Sequence, residues 1–179
     1  YYSGDRDVLD NDGKAQDEDE ENSDSLDKGE ADSTEGIVTG KEAGLIFTES
    51  APKPVGAYPH ARKVGDLLYL SGVGPRQAGN DDIPGGATKN GSGQSQEYDI
   101  KVQTRACIEN VKTILEASGS SLEQIIDVTV FLIDMERDFT TCNKVYNEYF
   151  EHIGATRTTL AISALPTPIA VEFKVLARA

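Results

Sequence analysis

The chain has 179 residues and a formal net charge of −14, from 31 acidic and 17 basic side chains. The charge is uneven: residues 1–44 hold 15 acids against 4 bases (−11), leaving −3 for the rest. Nothing is strongly basic, which argues against nucleic-acid backbone binding as the main task, and no run of 18 apolar residues offers a membrane span.

Residues 1–44 are rich in Asp, Glu, Ser, Gly and Asn, with the dense run Asp17-Glu18-Asp19-Glu20-Glu21. Such a segment buries too little apolar surface to offset chain entropy, so it is expected to be a disordered acidic tail. Asp10-Asn11-Asp12-Gly13 faintly resembles a calcium loop. With Gly13 in sixth place, however, Val8 and Asp19 fall at the first and twelfth positions, and the pattern fails at both ends.

The ordered part is expected over 45–179, enough for one domain with a single core. Leu45-Ile46-Phe47 opens it as a short strand. Ala61 to Val64 and Leu67 to Leu70, around Gly65-Asp66, give a hairpin signal, with Ser71-Gly72 closing the second strand. Residues 74–96, rich in Gly, Asn, Asp and Ser and starting near Arg76, form a loop long enough to signal either function or disorder. From Glu97 to Ser118, Ile100, Thr104, Cys107, Val111, Ile114 and Leu115 recur at helical spacing, and Gly119 ends the run. Ile125 to Ile133 reads as a β-branched strand. Asp138 is expected to cap a second helix reaching about His152, with Phe139, Cys142, Val145, Tyr146, Tyr149 and Phe150 on its apolar side.

After Gly154, Thr156 to Ser163 and Ala170 to Val175 read as two strands of a hairpin joined across Pro166 and Pro168. Val171, Phe173 and Val175 alternate with Glu172 and Lys174, the period of a half-buried strand. Ionised groups on a sheet are costly to bury without a partner. Arg157 and Glu172 therefore form either a structural ion pair, the commoner outcome, or a site for a carboxylated ligand. The element order predicts one α+β domain, a mixed sheet with two helices on one face. The uncovered face calls for a partner, most economically a closed homo-oligomer with sites between subunits.

The two cysteines, Cys107 and Cys142, sit in apolar helical surroundings and suit a reducing compartment, so a cytoplasmic location is expected. No secretory signal is visible, although a chain opening on Tyr1 leaves a preceding targeting segment open. No metal is expected: His60 and His152 lack ligand spacing with the cysteines.

Gly56-Ala57-Tyr58, Leu70-Ser71-Gly72, Gln103 to Asn110, Asn143 with Tyr146 and Phe150, and Arg157 with Leu165-Pro166 and Glu172 resemble the Rid family, the YjgF-type reactive imine deaminases. The resemblance covers about Ala51 to Ala179. Tyr58-Pro59-His60, Gly74-Pro75-Arg76 and Thr156-Arg157-Thr158-Thr159 are most similar to its 2-aminomuconate deaminase branch. It implies a chorismate-mutase-like fold, a homotrimer with three interfacial clefts, and hydrolysis of enamine or imine carboxylates to keto acid and ammonia without metal or cofactor. It also implies that Arg157 holds the substrate carboxylate, that Glu172 helps position water, and that Tyr58, Ser71 and Asn143 line the cleft. Thr159 stands where many members carry Cys, so a hydroxyl replaces any thiol role. Ala155 stands where a Pro is frequent.

Each residue also has a plainer reading. Tyr58 can be core packing, Ser71 a strand end, Asn143 a backbone brace, His60 a partly exposed turn residue and Arg76 a solvated loop cation. Arg76 is also a candidate for the distal carboxylate of 2-aminomuconate. A general 2-imino acid deaminase protecting against reactive enamines, and a non-enzymatic trimeric ligand-binding or holdase-like module, are the competing functions.

Overall fold

The computed structural model describes residues 44–179. The acidic tail expected over 1–44, with its Asp10–Gly13 segment, lies outside the described residues except for Gly44. The elements are β1 (Leu45–Ile46), β2 (Ala61–Val64), β3 (Leu67–Leu70), α1 (Ile100–Ala117), β4 (Ile125–Leu132), α2 (Met135–Phe150), β5 (Thr156–Ala161) and β6 (Val171–Arg178). They form one six-stranded sheet of order β1-β2-β3-β6-β4-β5 with both helices on one face, the expected α+β arrangement. Every neighbouring pair is antiparallel except β4 and β5, which run parallel because α2 carries the chain back between them.

The helical stripe read in α1 is the stripe that packs: Ile100, Thr104, Cys107, Val111, Ile114 and Leu115 are all buried. They meet Val171, Phe173, Val175 and Ala177 of β6 and Val128, Val130 and Leu132 of β4, every second residue of each strand. Gly65, at φ +58°, supplies the left-handed residue that the tight β2–β3 turn needs.

Three expectations are corrected. The strands bearing Arg157 and Glu172 are not a hairpin, because β4 lies between β5 and β6. The cap of α2 is Asp134, whose side chain accepts from the Arg137 N–H, and not Asp138. Asp138 lies within the first turn, buried, with Oδ2 accepting the Tyr98 hydroxyl at 2.7 Å. Having a hydrogen-bonding partner inside, it takes the inward place of that turn, and Phe139 stays 38% exposed. His60 is not a turn residue open to solvent but is buried, its Nδ1 accepting the Thr48 N–H and its Nε2 donating to the Pro52 carbonyl at 3.0 Å.

The long loop over 74–96 is pinned, and α1 pins it. Asn110 donates to the Gly74 and Arg76 carbonyls, at 2.9 and 2.8 Å. Gln103, fully buried, donates to the Gly86 carbonyl at 2.6 Å and accepts the Ala170 N–H at 2.8 Å. One side-chain amide thus ties this loop to the start of β6. Replacing Gln103 with Leu leaves the buried Ala170 N–H without a partner, and the expected loss is about 1–3 kcal/mol in urea unfolding. An unchanged midpoint would contradict this account.

Candidate functional site

Register decides where the two charged strand residues go. Arg157 is paired with Val128, and Val128 with Val175, so Arg157 shares the helix-bearing face with them. Glu172 is paired with Phe131 and lies three positions from Val175, which turns it to the opposite, uncovered face. Two strand spacings, about 10 Å of sheet, also separate the strands laterally. Within one chain the ion-pair reading is therefore excluded, and the expected site residues fall into two clusters.

The first cluster lies at the β5 edge. Arg157 and Thr159, two apart, share the helix-side face of an exposed strand. Beneath them is α2: the Arg157 guanidinium carbon lies 4.5 Å from the centroid of the Tyr146 ring. Tyr146 is stacked on Phe150 at 4.1 Å with an interplanar angle of 8°. Asn143 lies one turn before Tyr146, half-buried, and no backbone hydrogen bond of its side chain occurs among the described residues. Burial pushes the Cys142 thiol up, while Arg157 nearby pulls it down, and burial pushes the Cys107 thiol well up.

The second cluster lies where β3 ends. Tyr58, Ser71 and Arg76 line one cleft of about 40 Å³, with Pro52, Pro54, His60, Gly72 and Gly74. Ser71 Oγ donates to the Pro59 carbonyl at 2.6 Å, which fixes the hydroxyl and leaves its lone pairs as acceptors. The Arg76 guanidinium is met by Asp81 Oδ1 at 2.5 Å and the Lys53 carbonyl at 2.7 Å. Glu172 reaches this cluster through Gly72: a Cβ built there would stand 2.7 Å from the Glu172 carboxyl carbon, so only glycine lets the carboxylate approach. Lys174, on the same face of β6, donates to the Leu70 carbonyl at 2.8 Å.

Burial raises the Glu172 carboxyl above its ordinary range, and Lys174 offsets part of that. Among the described residues, no group of three or more His, Cys, Asp or Glu side chains is arranged to hold a metal. No helix among them is long and apolar enough to cross a membrane.

The sequence assigns no site role to Gly72 and Lys174 beside Glu172, to Tyr146 beneath Arg157, or to Asn110 holding the Arg76 loop. Gly72 carries a signal, since a glycine that closes an apolar strand run suggests close approach of another group. Nothing local marked Lys174.

A profile of the Endoribonuclease L-PSP family matches residues 48–179. A RutC family protein of Pyrococcus horikoshii is 41% identical over 133 residues, covering 74% of this chain and 95% of its own. The crystal structure of Escherichia coli TdcF with bound serine superposes with a TM-score of 0.63 at 31% identity, over 75% of this chain and 98% of that one. TdcF is provisionally named a reactive intermediate deaminase. RidA from an Antarctic Psychrobacter superposes with a TM-score of 0.65 at 29% identity, over 75% and 98%. The fold is thus that of the YjgF/Rid proteins, and the chain belongs to the Endoribonuclease L-PSP family, the group that the sequence resemblance named.

The raised Glu172 carboxyl has a consequence for stability. Below the ordinary carboxyl range both folded and unfolded chains hold the proton, and burial costs little. As pH rises through the raised folded value, the buried group must ionise and stability is lost. Glu172→Gln is therefore expected to raise the melting temperature at pH 7 and to lose that advantage near pH 4. Scans giving an equal shift at both pH values would contradict the burial account.

Proposed function

We propose that the protein is a hydrolytic deaminase of enamine or imine carboxylates, working in clefts shared between copies of a homotrimer. The single observation that carries this is the separation of Arg157 and Glu172 onto opposite faces of one sheet, each with its own cluster. A small substrate reaches both only if the arginine edge of one copy meets the Glu172 cluster of another. The uncovered face supports such packing, with Val64, Tyr69 and Leu160 exposed beside the half-buried Phe131 and Leu176.

The chemistry follows from the residue types. The Arg157 guanidinium takes the substrate carboxylate in two parallel bonds and so fixes the adjacent C=N carbon. Water adds to that carbon as Glu172 removes its proton. The C–O bond forms, the π pair moves to nitrogen, and the proton goes on to the amine. In the carbinolamine the hydroxyl then passes its proton, through Glu172, to the nitrogen as the C=O bond forms and the C–N bond breaks, leaving a keto acid and ammonia. A carboxyl whose hold on its proton is strengthened by burial suits a group that must both take and give one. In this reading the Thr159 and Ser71 hydroxyls hold the nitrogen or the water, and Asn143 and Tyr58 form walls. A net charge of −3 over residues 45–179 offers little attraction to RNA, despite the wording of the family description.

Arg157→Ala and Glu172→Gln are each expected to cut kcat/KM for a 2-imino acid at least about 100-fold. Unfolded, mixed and refolded together, the two variants should regain part of the parental activity, because some clefts then combine an intact arginine with an intact glutamate. Assembled mixtures that stay inactive would overturn the shared cleft.

The dicarboxylate reading, 2-aminomuconate, has one observation behind it: Arg76 lines the cleft with Tyr58 and Ser71. A distal carboxylate would take the place that Asp81 now holds on that guanidinium. In a side-by-side assay, Arg76→Ala is expected to slow 2-aminomuconate about 10-fold more than iminopyruvate. Equal slowing would leave the general 2-imino acid deaminase as the reading.

A further inference from the structure

We propose that Tyr146 is the positioning residue of the carboxylate grip, holding Arg157 with its ring and reserving its hydroxyl for the bound guest. The proposal rests on the reading above that Arg157 receives a carboxylate.

Two independent observations carry it. The first is the platform. Arg157 lies on an exposed edge strand, where a long side chain has many rotamers, and among the described residues no carboxylate pairs with it. What meets it is the Tyr146 ring at 4.5 Å. That ring is held by packing, stacked on Phe150 at 4.1 Å and tilted against the fully buried Phe173 at 6.3 Å. A guanidinium carbon over an aromatic face is attracted electrostatically, while its N–H groups stay available at the edge for a planar acceptor. The ring therefore removes most of the rotamer freedom that the arginine would otherwise lose on binding.

The second observation is the hydroxyl. Tyr146 is 7% exposed, and its buried oxygen has no hydrogen-bond partner among the described residues. The other buried oxygen in that condition, Asp138 Oδ1, has the Arg137 guanidinium 3.6 Å away. A phenylalanine would stack as well as Tyr146 and leave nothing unpaired, so packing alone gives no reason for the oxygen. A partner that arrives with the guest does.

The test uses the full chain and two substitutions, Tyr146→Phe and Tyr146→Leu, with serine and pyruvate as carboxylate probes in calorimetry and urea unfolding run in parallel. Tyr146→Phe is expected to unfold at the same or higher urea, yet to bind the probes about 5- to 10-fold more weakly. Tyr146→Leu should lose about a further 10-fold as the platform goes. In deamination assays both losses should fall mainly on KM, a split that a purely packing residue would not produce. Binding by Tyr146→Phe equal to the parent overturns the role of the hydroxyl. Binding by Tyr146→Leu no weaker than by Tyr146→Phe overturns the platform. A parent that binds neither probe, or Arg157→Ala that binds both as the parent does, sinks the reading of Arg157 itself and the proposal with it.

Discussion

The parallel pairing of β4 with β5 is the constraint on which the rest depends. Because α2 returns the chain to the same side, β5 joins the sheet at its outer edge instead of folding back on β6. That puts a central strand between Arg157 and Glu172, and the odd register offset turns their side chains to opposite faces. Neither residue then neutralises the other. Each keeps a charge to offer, and each is surrounded by its own set of fixed neighbours.

Those neighbours are held by polar groups buried on purpose-built contacts. Asn110 and Gln103, both on α1, hold the start and the middle of the loop over 74–96. His60 braces the segment before Tyr58, tying it to Thr48 and Pro52. Tyr98 and Arg137 do the same at the foot of α2, where the Arg137 guanidinium lies 3.9 Å over the Tyr98 ring and donates to its carbonyl. Burial and the neighbouring Asp138 carboxylate push the Tyr98 hydroxyl well up, so it stays a donor. A polar group whose bonds are made specifies one arrangement, and through Asn110, Gln103 and His60 this fixes the segments around Gly74, Gly86 and Pro52.

How much of this was legible in the chain follows from what periodicity encodes. The α1 stripe, the Gly65 turn and the stop at Gly119 were readable because each is a local rule about faces and dihedrals. So was the layer arrangement, since two amphipathic helices and half-buried strands admit few packings. Strand neighbours were not, because alternation in Val171–Val175 says which face is buried and is silent about who lies alongside. Asp134 and Asp138 are both capping types four residues apart, and what draws Asp138 inward is the hydroxyl of Tyr98, 40 residues away. Arg157 and Glu172 stand out on their own as ionised groups on strands; their roles, with Tyr58, Ser71 and Asn143, come from the family resemblance. Their division into two clusters came from register, which no short motif contains.

Both thiols of this chain, Cys107 and Cys142, are sealed in the core, at 0% and 4% exposure, and burial holds both in the unreactive protonated form. The position beside Arg157 on the open strand face belongs instead to Thr159, which peroxide and alkylating agents leave alone. Oxidants that silence exposed cysteines therefore find no exposed thiol on the folded domain. Uptake of a thiol dye counts only molecules whose core has come apart, so the two sulfurs serve as an inbuilt gauge of opening, separate from the chemistry at the edge strand.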